Sequence, residues 1–284
     1  MLNETLITIS NLALVLFLIT SMLAMGMSLT VKQILEPLRN VRLVVLILIG
    51  NFLLTPALAL LLTAILPMGQ PQATALILLG ACAGAPFLPK LAQMAKGELA
   101  TSVGLMVLLM VGTIFYAPLV LPLILPGAQV DVTAIAQSLI VFMLLPLIIG
   151  LLVKWRYSET AAEWLPLLSQ ASSYSLMFLV AAALVLQFRN IIGAIGSWLI
   201  LGTLLLIVGG TVIGYFLSFG SDKPTRKVAS LGTGQRNLAA ALLVGASFGD
   251  AEILVMTLVA AMVSQLLMIL IAGEIGKRGS AAAE

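Results

Sequence analysis

The sequence predicts an all-α polytopic membrane protein: one bundle with two inverted repeats and two crossed discontinuous helices. Three observations lead there: an extreme apolar composition, nine apolar stretches of membrane-crossing length, and two stretches where helix is interrupted at membrane depth. Of 284 residues, 61% are hydrophobic and only 9% charged, against about 25% charged in an ordinary soluble domain. The stretches fall at about 7–30, 41–66, 72–95, 99–125, 133–153, 163–186, 195–219, 225–248 and 252–274. Each is near the ~20 residues that cross a bilayer. No connection is long enough to hold a soluble domain. The chain therefore reads as one domain over 1–284, with a first repeat at about 1–125 and a second at about 133–274.

Charges in the connections orient the bundle. One set of alternate connections carries Lys32, Arg39 and Arg42, then Lys96, then Lys154 and Arg156, then Lys223, Arg226 and Lys227, then Lys277 and Arg278. The other holds Glu4, Asp131, Asp250 and Glu252, with Arg189 its sole cation. Basic residues gather on the cytoplasmic side, so the N-terminus is expected outside and the C-terminus in the cytoplasm, in a bacterial inner membrane. The net charge of +3 follows from those helix ends and implies no nucleic-acid partner. Trp155, Trp164 and Trp198 fall near span ends, where interfacial anchors belong. With no histidine and a single cysteine, Cys82, neither an intrachain disulfide nor a protein-built metal site is expected, and no cofactor is implied.

The third stretch reads Gly80-Ala81-Cys82-Ala83-Gly84-Ala85-Pro86-Phe87-Leu88-Pro89-Lys90. Pro86 and Pro89 each remove an amide donor and crowd the preceding turn, so continuous helix is disfavoured there, with Gly84 beside them. The eighth carries Gly232-Thr233-Gly234-Gln235-Arg236-Asn237, glycine-rich and polar, with breaks expected at Gly232 and Gly234. Unpaired backbone cannot face lipid and must line a cavity or be buried in protein. Five connections separate the two stretches, so they run in opposite directions. Paired breaks of this kind mark the midplane binding site of an inverted-repeat transporter. Pro56, Pro118, Pro122 and Pro146 read instead as structural kinks.

Arg236 stands in an otherwise uncharged run from Val228 to Gly249. A cation at that depth costs several kcal/mol unless a cavity or partner receives it, so it marks a functional site. Lys90 admits two readings. It lies six residues from Lys96, roughly 9 Å along a helix, so it either snorkels to the headgroups or faces the cavity as a proton carrier. Most small hydroxyls, Thr113 among them, read as helix stitching. Gln265 is a mid-span amide that wants a partner and is placed with the substrate candidates.

Several segments together resemble the bile acid:sodium symporter family of organic-anion transporters. They are Met25-Gly26-Met27-Ser28-Leu29-Thr30, Asn51-Phe52 with Pro56, Ala81-Cys82-Ala83-Gly84, and Gly234-Gln235-Arg236-Asn237-Leu238-Ala239-Ala240-Ala241-Leu242. The resemblance implies a nine-helix member, with spans 1, 4, 5 and 9 as a panel domain and 2, 3, 6, 7 and 8 as a core. It also exposes departures. A glutamate that helps bind sodium is expected at Gly232, and a glutamine at Arg236; the Thr-Ala-Ser-Asn run of the first broken helix is replaced by Pro86-Phe87-Leu88-Pro89. Asn51, Ser102, Gln235 and Asn237 remain as oxygen ligands, too few for two hard cations.

A guanidinium keeps its charge at any accessible pH. Two like charges ~4 Å apart at an effective dielectric near 20 repel by roughly 4 kcal/mol, about a thousandfold in affinity. The expectation is a secondary transporter of a small organic anion, sodium-independent, with Arg236 and conditionally Lys90 replacing bound cations; Asn237, Gln235, Thr233, Asn51, Ser102 and Gln265 complete the candidate site. Two alternatives stand beside it: a sodium-coupled symporter with rearranged ion sites, and a non-transporting channel or receptor-like protein. An intramembrane enzyme lacks a Ser–His pair, an Asp pair or a metal-ligand set. The partners expected are the anion and the bilayer, with oligomeric state left open.

Overall fold

The computed structural model describes residues 2–125, 132–186 and 196–281. Asp131 and Arg189, two of the orienting charges, lie outside the described residues. Among those residues every regular element is helical. α1 (Leu2–Ser28) leads through the short α2 (Val31–Leu35) and a 3-10 turn to α3 (Val41–Ile49). Thr30 and Gln33 cap α2 reciprocally, and the Asn40 side chain accepts from the Leu43 amide to cap α3. These caps satisfy amides that the first helical turn leaves without partners.

A π-turn, Gly50–Leu54, joins α3 to α4 (Thr55–Ile65), and a second, Ile140–Leu144, joins α8 (Val132–Leu139) to α9 (Leu145–Arg156). Each precedes a proline in the first turn of the next helix, Pro56 and Pro146. Proline has no amide to return to the carbonyl four residues back, and a widened turn absorbs that gap without ending the helix. The amide of Thr55 instead reaches back five residues to Gly50, as that of Leu145 does to Ile140. α7 (Leu99–Ile124) continues through Pro118 and Pro122.

The third stretch forms α5 (Gln70–Ala81) and the short α6 (Leu88–Met94), separated by six residues of non-helical chain. After α10 (Ser158–Leu186) and α11 (Leu199–Leu217), the second interrupted stretch forms α12 (Lys223–Gly234) and α13 (Leu238–Ser247), and α14 (Ala251–Ala281) closes the chain. Six segments are long and apolar enough to cross a membrane: Thr8–Ser28, Val41–Ile65, Leu99–Ile124, Ala136–Arg156, Leu199–Leu217 and Ala251–Lys277. Leu12, Leu119, Leu123 and Leu270 on them are more than half exposed. On helices of membrane-crossing length, an apolar surface of that extent is a lipid-facing one. The protein is an integral, multi-pass membrane protein.

Packing corrects the panel and core sorting that the resemblance suggested. α1 packs along α9 and α10; Gly26 and Gly150 meet so closely that a Cβ on Gly150 would lie 2.9 Å from the Gly26 Cα. Small residues permit that backbone approach where no hydrophobic effect drives helices together. α10 therefore belongs with α1 and α9. α14 packs on α5, α11 and α13 and so flanks the interrupted segments, whereas α7 packs on α5, α6 and α12 and also on α8, bridging the interrupted segments and the α1 group.

Candidate binding site at the two helix breaks

The two interruptions touch. The Asn237 amide donates to the Cys82 carbonyl at 2.9 Å, and its side-chain Nδ2 to the Gly84 carbonyl at 3.1 Å. Its Oδ1 accepts from the Ala240 amide at 3.1 Å, capping α13. One asparagine thus starts a half-helix and ties it to the opposite break. Thr113, on α7, holds the first break from the other side: its Oγ1 lies 2.9 Å from the Ala83 amide and 3.0 Å from the Ala83 carbonyl. Such partners are what non-helical backbone inside a membrane protein needs.

Gly84 explains why the first break takes this path. Its φ is +78°, and a Cβ there would run into the backbone of Leu109 and Met110 on α7. Only glycine adopts that conformation freely and allows that approach. The second break is narrower than the glycine pattern suggested. Gly232 lies within α12 and Gly234 ends it; the interruption is Gln235–Asn237. Gly234 serves contact rather than interruption, since its Cα hydrogens face the Thr211 hydroxyl too closely for a Cβ.

Arg236 is 2% exposed. Its Nη1 donates to the Gly80 carbonyl at 3.2 Å; its Nη2 donates to Asn51 Oδ1 at 2.7 Å and to the Thr233 carbonyl. Gly80 and Thr233 lie in the last turns of α5 and α12, so the cation sits at the negative ends of two helix dipoles. Asn51, in the first π-turn, completes the set: its Nδ2 donates to the Ile47 carbonyl at 3.0 Å and to Thr233 Oγ1 at 3.3 Å. Three segments distant in sequence are thereby gathered on one guanidinium. Every acceptor is neutral, and among the described residues Nε has no hydrogen-bond partner.

Gln235 is 1% exposed, with neither side-chain amide atom hydrogen-bonded among the described residues. Gln265 is half-buried on α14, and its Nε2 is likewise unpaired among the described residues. The remaining candidates are not gathered. Ser102 is buried but donates to Leu99 within its own helix at 2.7 Å. Lys90 is exposed near the start of α6, with Nζ 3.3 Å from Gln93 Oε1; it does not join the Arg236 cluster, because the turn of chain after Pro86 carries it outward. Pro86 lies in the interruption and Pro89 in the first turn of α6. Thr113 acts as the stitching hydroxyl its sequence suggests, but what it stitches is the break; the Gly80 carbonyl has no such signal in the sequence. The signal for Thr113 was the break itself, whose orphan amide requires a hydroxyl on a neighbouring span.

A model of the Sodium Bile acid symporter family matches residues 15–194, more than half of the chain and inclusive of the first break. The chain belongs to this family. A curated family relative, the probable sodium/metabolite cotransporter BASS2, chloroplastic, of Oryza sativa subsp. japonica, is 28% identical over 226 residues, 78% of this chain and 54% of its own length. The chain spans about half the length of that relative. In this family member the Arg236 guanidinium donates to Gly80 O, Asn51 Oδ1 and Thr233 O.

The Thr113 clamp gives a test of the site's construction. Thr113→Val removes both bonds to Ala83 at constant shape and leaves a buried amide and carbonyl unpaired, at about 1–3 kcal/mol each. We expect a loss near 3 kcal/mol, read as a fall of roughly 10 °C in thermal midpoint. Thr113→Ser, which keeps the hydroxyl, should recover most of it.

Proposed function

We propose that the chain is a secondary transporter of a small organic anion, working by alternating access around the two crossed breaks and independent of sodium. The observation that carries this reading is a fully buried guanidinium whose three bonded acceptors are all neutral. A cation held this way leaves its charge for a mobile anion to balance, and the free Nε–H and the Gln235 amide are groups such a substrate can address. Sodium binding requires oxygen ligands without a neighbouring positive charge. Here Asn51 Oδ1, Gly80 O and Thr233 O are already taken, and a sodium ion beside them meets Arg236 at full charge. The same reading extends to architecture: nine crossings in two inverted repeats at about 1–125 and 133–274, N-terminus outside. The two opposed interruptions and the basic residues of alternate connections support it.

A sodium-coupled reading is favoured by the similarity to the probable sodium/metabolite cotransporter of rice. The two part cleanly in proteoliposomes. Uptake of radiolabelled carboxylates, screened as a panel, is expected to be saturable, to show countertransport, and to persist when choline replaces sodium. Uptake that collapses in choline would reject the tethered-cation mechanism. Sodium-independent flux without saturation or countertransport would favour a channel.

A further inference from the structure

Where α11 ends and α12 begins with Lys223, Arg226 and Lys227, a cavity of about 290 Å³ opens between the start of α3 and the turn joining the two helices. That is room for about ten waters at ~30 Å³ each. Its lining includes Asn40, Arg42, Phe219, Ser221 and Asp222. We propose that this cavity binds the headgroup of phosphatidylethanolamine, with the phosphate on Arg42 and the ammonium on Asp222.

Four observations support the assignment. First, the cavity carries one charge of each sign, and no ion pair closes between Arg42 and Asp222 among the described residues. Opposite charges held apart in one cavity complement a zwitterion. Arg42 is exposed and spends one long bond, 3.5 Å, on the Phe219 carbonyl, so most of its five donors are free. Second, the turn is shaped around that guanidinium: Gly220 has φ +94°, and a Cβ there would lie 3.4 Å from Arg42 Nη1. Third, the wall is held rigid. The Arg226 guanidinium lies 4.3 Å from the ring centres of both Tyr215 and Phe219, a cation–π contact that fixes Phe219 and the carbonyl facing Arg42. Fourth, Phe219 in the wall stacks on Phe216 at 5.8 Å and both are more than half exposed, an apolar face against which an acyl chain would lie.

Depth agrees as well. The cavity begins at Leu217, the last residue of a membrane-crossing helix, which is headgroup level. Asp222 caps α12 by accepting from the Thr225 amide at 3.2 Å, and its hydrogen bonding to Thr225 holds the carboxyl below its ordinary value, so it is anionic at neutral pH. The choice among lipids follows from hydrogen bonding. A primary ammonium donates to Asp222, the methylated ammonium of phosphatidylcholine cannot, and phosphatidylglycerol lacks the cation.

The test is native mass spectrometry of delipidated, detergent-purified protein against an equimolar mixture of the three lipids with matched acyl chains. Preferential retention of phosphatidylethanolamine is expected. Arg42→Gln should lower its occupancy about tenfold, as loss of one charge-assisted hydrogen bond does. Asp222→Asn keeps a competent helix cap yet should abolish the preference for phosphatidylethanolamine over phosphatidylglycerol. Wild-type protein that retains phosphatidylglycerol or phosphatidylcholine equally well, or an unchanged preference in Asp222→Asn, would overturn the assignment. Should Arg42→Gln not give monodisperse protein, Asp222→Asn decides alone.

Discussion

Replacing Arg236 with glutamine is expected to reduce uptake at least a hundredfold while the protein still inserts and purifies. Two effects combine. The first is lost connection: Gly80 O, Thr233 O and Asn51 Oδ1 share one guanidinium, and a glutamine amide has two donors, so buried acceptors are orphaned. Each buried acceptor left unpaired costs about 1–3 kcal/mol, and about 3 kcal/mol borne by the transport-competent state is a factor above a hundred. The second is lost charge, which takes away the positive potential that the proposed substrate neutralises. Arg236→Lys separates them. It retains the charge but presents a compact ammonium in place of a planar fork, so partial uptake is expected, with affinity for the anion better preserved than turnover. Proteoliposome uptake beside gel-filtration profiles measures both, and a glutamine variant with wild-type uptake would end the tethered-cation proposal.

Gly84→Ala is expected to act on the fold itself. The residue sits at φ +78° against the backbone of α7. The left-handed conformation costs an L-residue roughly 1–2 kcal/mol, and overlap with main chain cannot be relieved by a rotamer change. A loss of at least about 3 kcal/mol follows, a midpoint lowered by roughly 10 °C or more, with much of the protein failing to reach a monodisperse state. Gly249 supplies the control. Its φ is +67°, yet nothing lies within 4 Å of a Cβ built there, so Gly249→Ala should show the conformational cost alone. Equal behaviour of the two variants would mean that the approach to α7 matters little.

These cases show where sequence reasoning reaches. Lipid-facing apolar length and the positions of Pro86, Pro89 and Arg236 are local properties, and they located both interruptions within a few residues. The edges of the second were misplaced because glycine signals both helix ends and close packing, and Gly232 and Gly234 serve the latter. Asn51 was legible as a polar residue in an apolar span, although the π-turn that carries it was not. Thr113 resembled any other stitching hydroxyl until its partner was visible. The two readings of Lys90 differ only in which way a short helix faces.

The sequence by itself determined the membrane class, the approximate bounds of the helices, the two interruptions and the presence of a cation at depth. Hydrophobic length, amide loss at proline and the cost of a charge in lipid act within a few residues of chain, so they are written locally. Tertiary structure alone decided that Arg236 reaches Gly80 and Asn51, 156 and 185 positions away, that α10 joins α1 and α9, and that Thr113 clamps Ala83. Those facts depend on which helices pack together, and helices in a membrane choose neighbours by shape and hydrogen bonding rather than by any pattern along a single span.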